Sequence, residues 1–578
     1  MGSNGIRFSI SDLAPPTSRV LPTVYLGRVG ISLYDAQFDP TTGARRPIPP
    51  AVIRAVIQSL RRFQTVCADF GVRDHHIRVL ATEATRTARN SLEFRQDITH
   101  ATGWAVEVLS KEEEGEVGAW GVASSFADVR GLVMDLGGGS MQITWMIAHQ
   151  GDVRTSAKGA ISFPYGAAAM ARRLAEVERG KDEDEREKAV AKLREEMKTT
   201  FEKAYERLEI PDELIDAAKD EGGFPLYLSG GGFRGWGYLL LSQSQVHGHH
   251  YPISIINGFW AHKDDFANTD QLKEVARTAH KIFRVSDRRR QQVPAVAFLV
   301  HVLATALPHG IKDARFCQGG VRQGILFRDL PRRVRAVHPL PVATAPYAGP
   351  SAGAISALLR SALPASCTDD AATYPASISV PLVQALANVL FAHAALGKET
   401  ASVCALYSTS TGILASAHGI SHAHRAMLAL MLEERFPGEL PPRDAEVQVH
   451  LAELLHPAEV WWCRFIGTVA WLVAEVYPTG VIDARRPRMQ FSSRWATRLG
   501  KQGTKKGVRL TVQVPATGDA MTHRATMEDE VQRIRKVGKR KNWIGGRQGW
   551  GMAVAVVVKV QEDLDAAVTR VSQTEDAR

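Results

Sequence analysis

Apolar residues recur at helical spacing over residues 53–70, whereas 77–82 (IRVLAT) and 131–136 (GLVMDL) are short continuous apolar runs. The spacing predicts a helix in the first case and buried strands in the other two. Strands alternating with helices predict an α/β sheet with crossover connections. Residues 176–208 are densely charged but keep an apolar position every three or four residues, the pattern of a solvated amphipathic helix to which no function is attached. A second α/β stretch runs over 225–327, and a segment rich in Pro, Ala and Ser follows it to about 376. Helical patterns occupy 380–477, as in LVQALANVLFAHAAL and VWWCRFIGTVAWLVAEVY. Beyond them lie a predicted strand at 508–514, a helix near 527–537 and a strand at 552–560.

Composition changes this picture in a few places only. At about 150 residues per domain, the 578 residues make three or four folding units. No apolar run approaches the roughly 18 residues that span a bilayer, and no charged segment followed by an apolar core opens the chain, so neither membrane insertion nor a secretory leader is expected. Cys67, Cys317, Cys367, Cys404 and Cys463 are widely separated and form no CxxC pair, which argues against a disulfide framework or zinc site and for a reducing, cytoplasmic setting. The net charge of +10 favours polyanionic ligands without separating nucleic acid from polyphosphate or nucleotide.

The chemistry is concentrated in three glycine-rich turns. Gly2, Ser3, Asn4 and Gly5 precede Ile6, Arg7 and Phe8; Asp135 and Leu136 precede Gly137, Gly138, Gly139 and Ser140; Ser229 precedes Gly230, Gly231 and Gly232. Glycines after a strand let backbone N–H groups close in on an anion as a concave nest of donors. An aspartate at the strand end, such as Asp135, is a natural ligand for a hydrated divalent cation beside phosphate. A single such turn is usually only a turn. Two or three of them, well separated in one α/β region, predict a duplicated lobe with one phosphate loop from each half.

GSNGIR resembles the opening GSNS-x-R loop of the exopolyphosphatase/guanosine-pentaphosphatase (Ppx/GppA) family. LATEATRTARN is similar to its A-T-S-A-x-R-x-A-x-N segment, LSKEEEGEVGAWGV to its S-G-x-E-E segment, and MDLGGGSMQ to its D-I-G-G-G-S-T-E loop. ISFPYGAAAM, LSGGGFR and QGGVRQGIL resemble three further family segments in the same order, so the likeness covers residues 1 to about 330. It implies a two-lobed actin-like ATPase (duplicated ribonuclease H-like) α/β fold, with lobes over 1–145 and 146–330. A linker over 331–378, a helical HD-like degenerate domain over 379–480 and a small α/β region over 481–578 would follow.

The resemblance also implies roles. Glu114, matching the second glutamate of the E-E pair, would be the base that activates water, with Glu113 beside it and Gln142 in the place of a family glutamate. Gly2, Ser3, Asn4, Arg7, Arg86, Gly137, Gly138, Gly139, Ser140, Gly230, Gly231 and Gly232 would bind phosphate, and Asp135 would hold Mg²⁺. The family motif carries an aspartate two residues before GSN, so a first strand is expected upstream of Met1. Gln142 keeps the shape of glutamate but not its charge or basicity. That variant, with GSNGIR and the long C-terminal extension, most resembles a fungal branch of nutrient and mitochondrial-state signalling factors. The leading expectation is therefore an intracellular regulator binding nucleotide or polyphosphate, with a regulatory protein partner and a homodimer left open. The competing expectation is an active phosphatase releasing phosphate from polyphosphate or guanosine pentaphosphate.

Two other clusters carry less. His422 and His424 are two apart, which points them to different helix faces, and no His-Asp dipeptide occurs in the chain, so AHGISHAHR is read as packing rather than metal binding. The basic run RIRKVGKRK at 533–541 is read as a solvated or polyanion-facing surface ahead of nucleic-acid binding.

Overall fold

A computed structural model describes residues 1–39, 41–365, 373–500, 502–515 and 520–561. The chain divides into two units: Met1–Ser244 with Ser254–Pro339 and Ser416–Ser421, and Gln245–Ile253 with Leu340–Ala415 and His422–Arg578.

The first unit contains two layered lobes. In the first lobe, β1 (Ile6–Ser11) pairs antiparallel with β2 (Thr23–Val29), and β3 (Val79–Ala81) pairs parallel with β4 (Val106–Val108). The helices Pro50–Asp69 and Ser91–Thr102 cover these ladders. Ile6, Phe8, Leu60, Phe94, Ile98 and Trp104 pack into one apolar core beneath them. The two ladders are separate, and the first residue lies beside β3, where Thr82 N–H donates to the Met1 carbonyl at 3.3 Å.

The second lobe is built on one mixed sheet. β5 (Val129–Leu136) pairs antiparallel with β6 (Met141–His149), which also carries β7 (Asp152–Thr155) and β8 (Ile161–Phe163). On its other side β5 pairs parallel with β9 (Phe224–Ser229). The chain then forms a small hairpin of β10 (Gln245–Val246) and β11 (His249–His250) that belongs to the second unit, and returns to complete the sheet with β12 (Trp260–His262) and β13 (Ile311–Phe316). β5 is central and buried on both faces, which explains its unbroken apolar run. The boundary expected at residue 145 is therefore corrected: β5 opens the second lobe's sheet, because its ladder partners β6 and β9 are both there.

In the second unit, the helices Ala352–Ser361, Val380–Val389, Lys398–Tyr407, His422–Arg435, Pro442–Glu453 and Pro457–Val476 form the helical layer. The linker expected over 331–378 is corrected as far as residue 365, since Ile355 and Leu359 bury a face of the Ala352–Ser361 helix; residues 366–372 lie outside the described residues. Its alanine-rich composition reads as a linker but suits close helix packing. Trp461 and Trp462 are fully buried. A three-stranded sheet completes the unit: β14 (Gln490–Leu499) antiparallel to β15 (Lys505–Pro515), which is parallel to β16 (Ala553–Gln561) across the Ala520–Val537 helix. Val508, Leu510 and Val512 alternate into its core at 0% exposure. No helix among the described residues is long and apolar enough to cross a membrane.

Candidate functional site

The C-terminal ends of β5 and β9 and the turn before β1 meet around a cavity of about 340 Å³ in the first unit. Ligands commonly bind outside the carboxyl ends of α/β strands for this topological reason. The three glycine turns approach so closely that side chains are excluded. A Cβ on Gly138 would lie 2.7 Å from the Asn4 side chain, and one on Gly139 would lie 2.0 Å from the Glu83 carboxylate and 3.2 Å from Ser3 Oγ. Gly230 adopts φ +86, with the Leu136 carbonyl 2.4 Å from where its Cβ would be. The second turn is held from behind by the N-terminus of the Ala167–Glu178 helix. Ala167 N–H donates to the Gly137 carbonyl at 3.0 Å, and Ala168 and Ala169 N–H donate to Gly138 at 2.9 and 3.0 Å.

Asp135 stands at the centre of this arrangement. In the ladders it is directly opposite Gln142 on one side and Ser229 on the other, and its carboxylate accepts from the Ser229 hydroxyl. Gln142 is buried and donates through Nε2 to Ser140 Oγ at 2.9 Å and Ser162 Oγ at 3.5 Å. Glu114 projects from the Lys111–Ser124 helix, with its carboxylate 3.2 Å from both terminal nitrogens of Arg86. Burial pushes the Glu114 carboxyl up to about 7; Arg86 pulls it down, and the Asp135 and Glu83 carboxylates push it further up. A carboxyl in that range can accept a proton near neutral pH. The Glu114 and Asp135 carboxylates offer oxygen donors of the kind a hard cation such as Mg²⁺ takes, but with Glu83 they are not gathered within 4.8 Å of one another as a closed ligand set.

Opposite the carboxylates is a group of arginines. Arg7, Arg28, Arg234, Arg288, Arg289 and Arg322 all line the cavity. Arg234 holds the Arg7 guanidinium far below its usual range, with burial and the charges of Arg289, Arg322 and Arg28 adding to the effect. Burial, then neighbouring arginines, bring Arg289 and Arg322 down to about 10. Among the described residues no carboxylate lies within ion-pair distance of Arg7, Arg28, Arg234, Arg289 or Arg322. Arg288 differs, bonding to the Asp35 carboxylate and to Asn4 Oδ1 at 3.4 Å. Arg7, Arg234, Arg289 and Arg322 are half-buried, and unpaired, mutually repelling cations withdrawn from water in this way are costly unless an anion joins them.

Three expected roles change. Glu113 is exposed and closes a helix cap, its carboxylate accepting from Ser110 N–H at 2.7 Å while its own N–H donates to Ser110 Oγ at 3.1 Å, so it serves the helix end rather than the cleft. Gly232 packs on Leu136, whose Cδ2 would be 2.5 Å from a Cβ there. Arg86 is engaged by Glu114 and the Leu109 carbonyl and orients the carboxylate rather than standing free for phosphate. The cavity does gather Gly2, Ser3, Asn4, Arg7, Gly137, Gly138, Ser140, Gly230, Gly231, Glu114 and Asp135. Sequence reasoning missed Glu83, Arg28, Arg234, Arg289 and Arg322. Arg234 and Arg322 stand inside the quoted GGGFR and GGVRQG segments, and the RRR run at 288–290 was a visible signal.

Glu114 gives a direct stability prediction. Its raised carboxyl adds stability that is fully present below its ordinary 4.5 and is lost as pH rises through about 7. Glu114→Gln removes that term, so the stability of the variant minus that of the wild type should rise between pH 5 and 7.5, by up to about 3 kcal/mol, and the difference in thermal midpoint with it. The Glu433 carboxyl, also pushed up to about 7 by burial, is common to both proteins and cancels in the difference. Thermal melts across this pH range check the sign.

The sequence profile of the Ppx/GppA phosphatase family matches residues 16–333, more than half the chain, and that of the RTG2 C-terminal domain matches residues 338–561. Retrograde regulation protein 2 of Saccharomyces cerevisiae is 40% identical over 497 residues, which cover 83% of this chain and 81% of the yeast protein. Among solved structures, a Ppx/GppA family member from Aquifex aeolicus aligns at 20% identity and a TM-score of 0.41, covering 57% of this chain and 95% of its own. An exopolyphosphatase from Cytophaga hutchinsonii aligns at 17% identity and a TM-score of 0.41, covering 57% and 97%. The chain belongs to the Ppx/GppA phosphatase family, in the branch of yeast retrograde regulation protein 2, and its first unit has that family's two-lobed actin-like ATPase fold.

Proposed function

We propose that the first unit binds a phosphate-chain compound, a nucleotide or polyphosphate, and that this binding is the input of a signalling regulator. The regulatory role is supported by the name of the yeast relative, retrograde regulation protein 2. The observation that carries the ligand class is the cavity's arginine group, five of whose members lack an acidic partner among the described residues and face the glycine turns. A ligand with several adjacent negative charges meets both features at once: backbone N–H groups take one phosphate and guanidinium forks take the others.

Asp135, with Glu114 on the same cavity, would hold a hydrated Mg²⁺, which when bound offsets charge on the phosphate oxygens. The chain's own groups fix the rest. Asn4 and Arg288 bond across the cleft between the lobes, and their contact would tighten or open with ligand. Action in the cytoplasm through a regulatory protein partner belongs to the same proposal and suits the free thiols of Cys67, Cys317, Cys404 and Cys463.

Calorimetric titration with polyphosphate, guanosine pentaphosphate and ATP, each with Mg²⁺, tests this. Saturable binding of at least one, weakening steeply with salt, is expected. No saturable binding of any would sink the proposal. A second reading, phosphoanhydride hydrolysis, is favoured by one observation, the buried Glu114 carboxyl poised near 7. Release of inorganic phosphate above a Glu114→Ala background is its test.

A further inference from the structure

A separate group of side chains lies in the second unit, where the β10–β11 hairpin meets the Pro442–Glu453 helix. His249 comes from β11, and His450 and Glu453 stand three residues apart on one face of that helix. The two imidazoles stack at 4.4 Å between centroids with 24° between planes. His249 Nε2 lies 3.9 Å from Glu453 Oε1. One ligand atom from each of the three residues falls within 4.8 Å of the others. The second carboxylate oxygen, Glu453 Oε2, is buried and has no hydrogen-bond partner among the described residues.

Two features of this arrangement ask for a cation. A buried carboxylate oxygen without a donor is costly, and two imidazoles stacked this closely repel each other if both protonate. One metal ion answers both. It takes neutral imidazole nitrogens, gives the carboxylate a positive neighbour, and needs no protonation.

We propose that His249, His450 and Glu453 form a binding site for a divalent transition metal of the zinc class. Two imidazoles and one carboxylate are the donors such ions select over Mg²⁺ or Ca²⁺. With ligand distances of about 2.0–2.2 Å, the present spacing closes by a rotamer change of His249, which is half-exposed on a two-residue strand. Three protein ligands leave a fourth position for water or a further donor. The ion pins the hairpin, contributed from between two elements of the first unit's sequence, to a helix some 200 residues later. This site is distinct in chemistry from the all-oxygen group at Asp135.

The test uses the full chain, stripped with chelator and titrated with Co²⁺, whose visible ligand-field absorption reports coordination by nitrogen. The wild type should bind one Co²⁺ that Zn²⁺ displaces and Mg²⁺ does not, and Zn²⁺ should raise its thermal midpoint. His450→Ala and Glu453→Gln should each weaken binding at least about tenfold, and His249→Ala/His450→Ala should abolish both the absorption and the midpoint shift. Asp135→Asn and His250→Ala, the latter an exposed neighbour, should leave them unchanged. Circular dichroism without metal separates loss of the site from loss of the fold. Absorption that persists in the folded double variant, or never appears in the wild type, overturns the proposal.

Discussion

Replacing Arg7 and Arg289 together by methionine should lower the affinity of the cleft for its phosphate-chain ligand at least about a hundredfold without lowering the thermal midpoint. Each guanidinium lost removes charge-assisted hydrogen bonds of about 1.5–3 kcal/mol, and each 1.4 kcal/mol is about tenfold in affinity. The unchanged or raised midpoint is the diagnostic half. Arg7 is half-buried, with the charges of Arg234, Arg289, Arg322 and Arg28 acting on it, and among the described residues none of these has an ion-pair partner. Removing two of the charges relieves repulsion in the free protein, while methionine keeps much of the apolar stem that fills the site. Arg332→Met is the matched control. It removes one charge at an exposed pair with Asp152, so affinity and midpoint should change little. Calorimetry and thermal melts read both quantities. Wild-type affinity in the double variant would remove the arginines from the ligand's surroundings. A large fall in midpoint would make them structural.

The glycine turns were legible in the sequence because their function is a backbone function. Close approach of Gly138 to Asn4, Gly139 to Glu83 and Gly230 to Leu136 tolerates no side chain, so the turns appear directly as letters. Asp135 was legible for a related reason, since it directly follows the apolar run Leu132, Val133 and Met134 near the end of β5. The arginines were not, because they come from β1, β2 and three different helices, and only the folded chain brings them to one wall. Glu83 was hidden inside a helix opening, where a carboxylate is ordinary. Glu113 and Glu114 show the limit from the other side. Adjacent and chemically identical, they differ because a helix sends one to the Ser110 cap and the next into the cleft. β14 escaped notice because FSSRWATRL has polar residues on most positions of a strand that draws its order from the ladder with β15. The alanine-rich 331–365 segment misled in the opposite way, since small residues mark both linkers and tightly packed helices.

Gln142→Glu should tighten Mg²⁺ binding at least about tenfold and raise inorganic phosphate release by a factor on the order of 10². Gln142 lies directly opposite Asp135 in the β5–β6 ladder, so a carboxylate there places a second negative charge beside the first. Without metal, two buried neighbouring carboxylates repel, and the variant's midpoint should fall below that of the wild type. With Mg²⁺ the same repulsion becomes shared ligation, so the midpoint should recover by more than the wild type gains. The swap is nearly isosteric, but it exchanges the amide that donates to Ser140 and Ser162 for an acceptor, which those hydroxyls can serve by turning their own protons toward it. Glu114→Ala in the same background should cancel the gain in phosphate release while leaving much of the gain in Mg²⁺ affinity, because the two carboxylates would do different work. Release that rises and then vanishes with Glu114 would mean that the cleft is an idle hydrolase, held back by a single amide. Tighter Mg²⁺ without release would mean that the ligand is held and not consumed, as a sensor requires. No change in either would remove Gln142 from the metal's reach altogether.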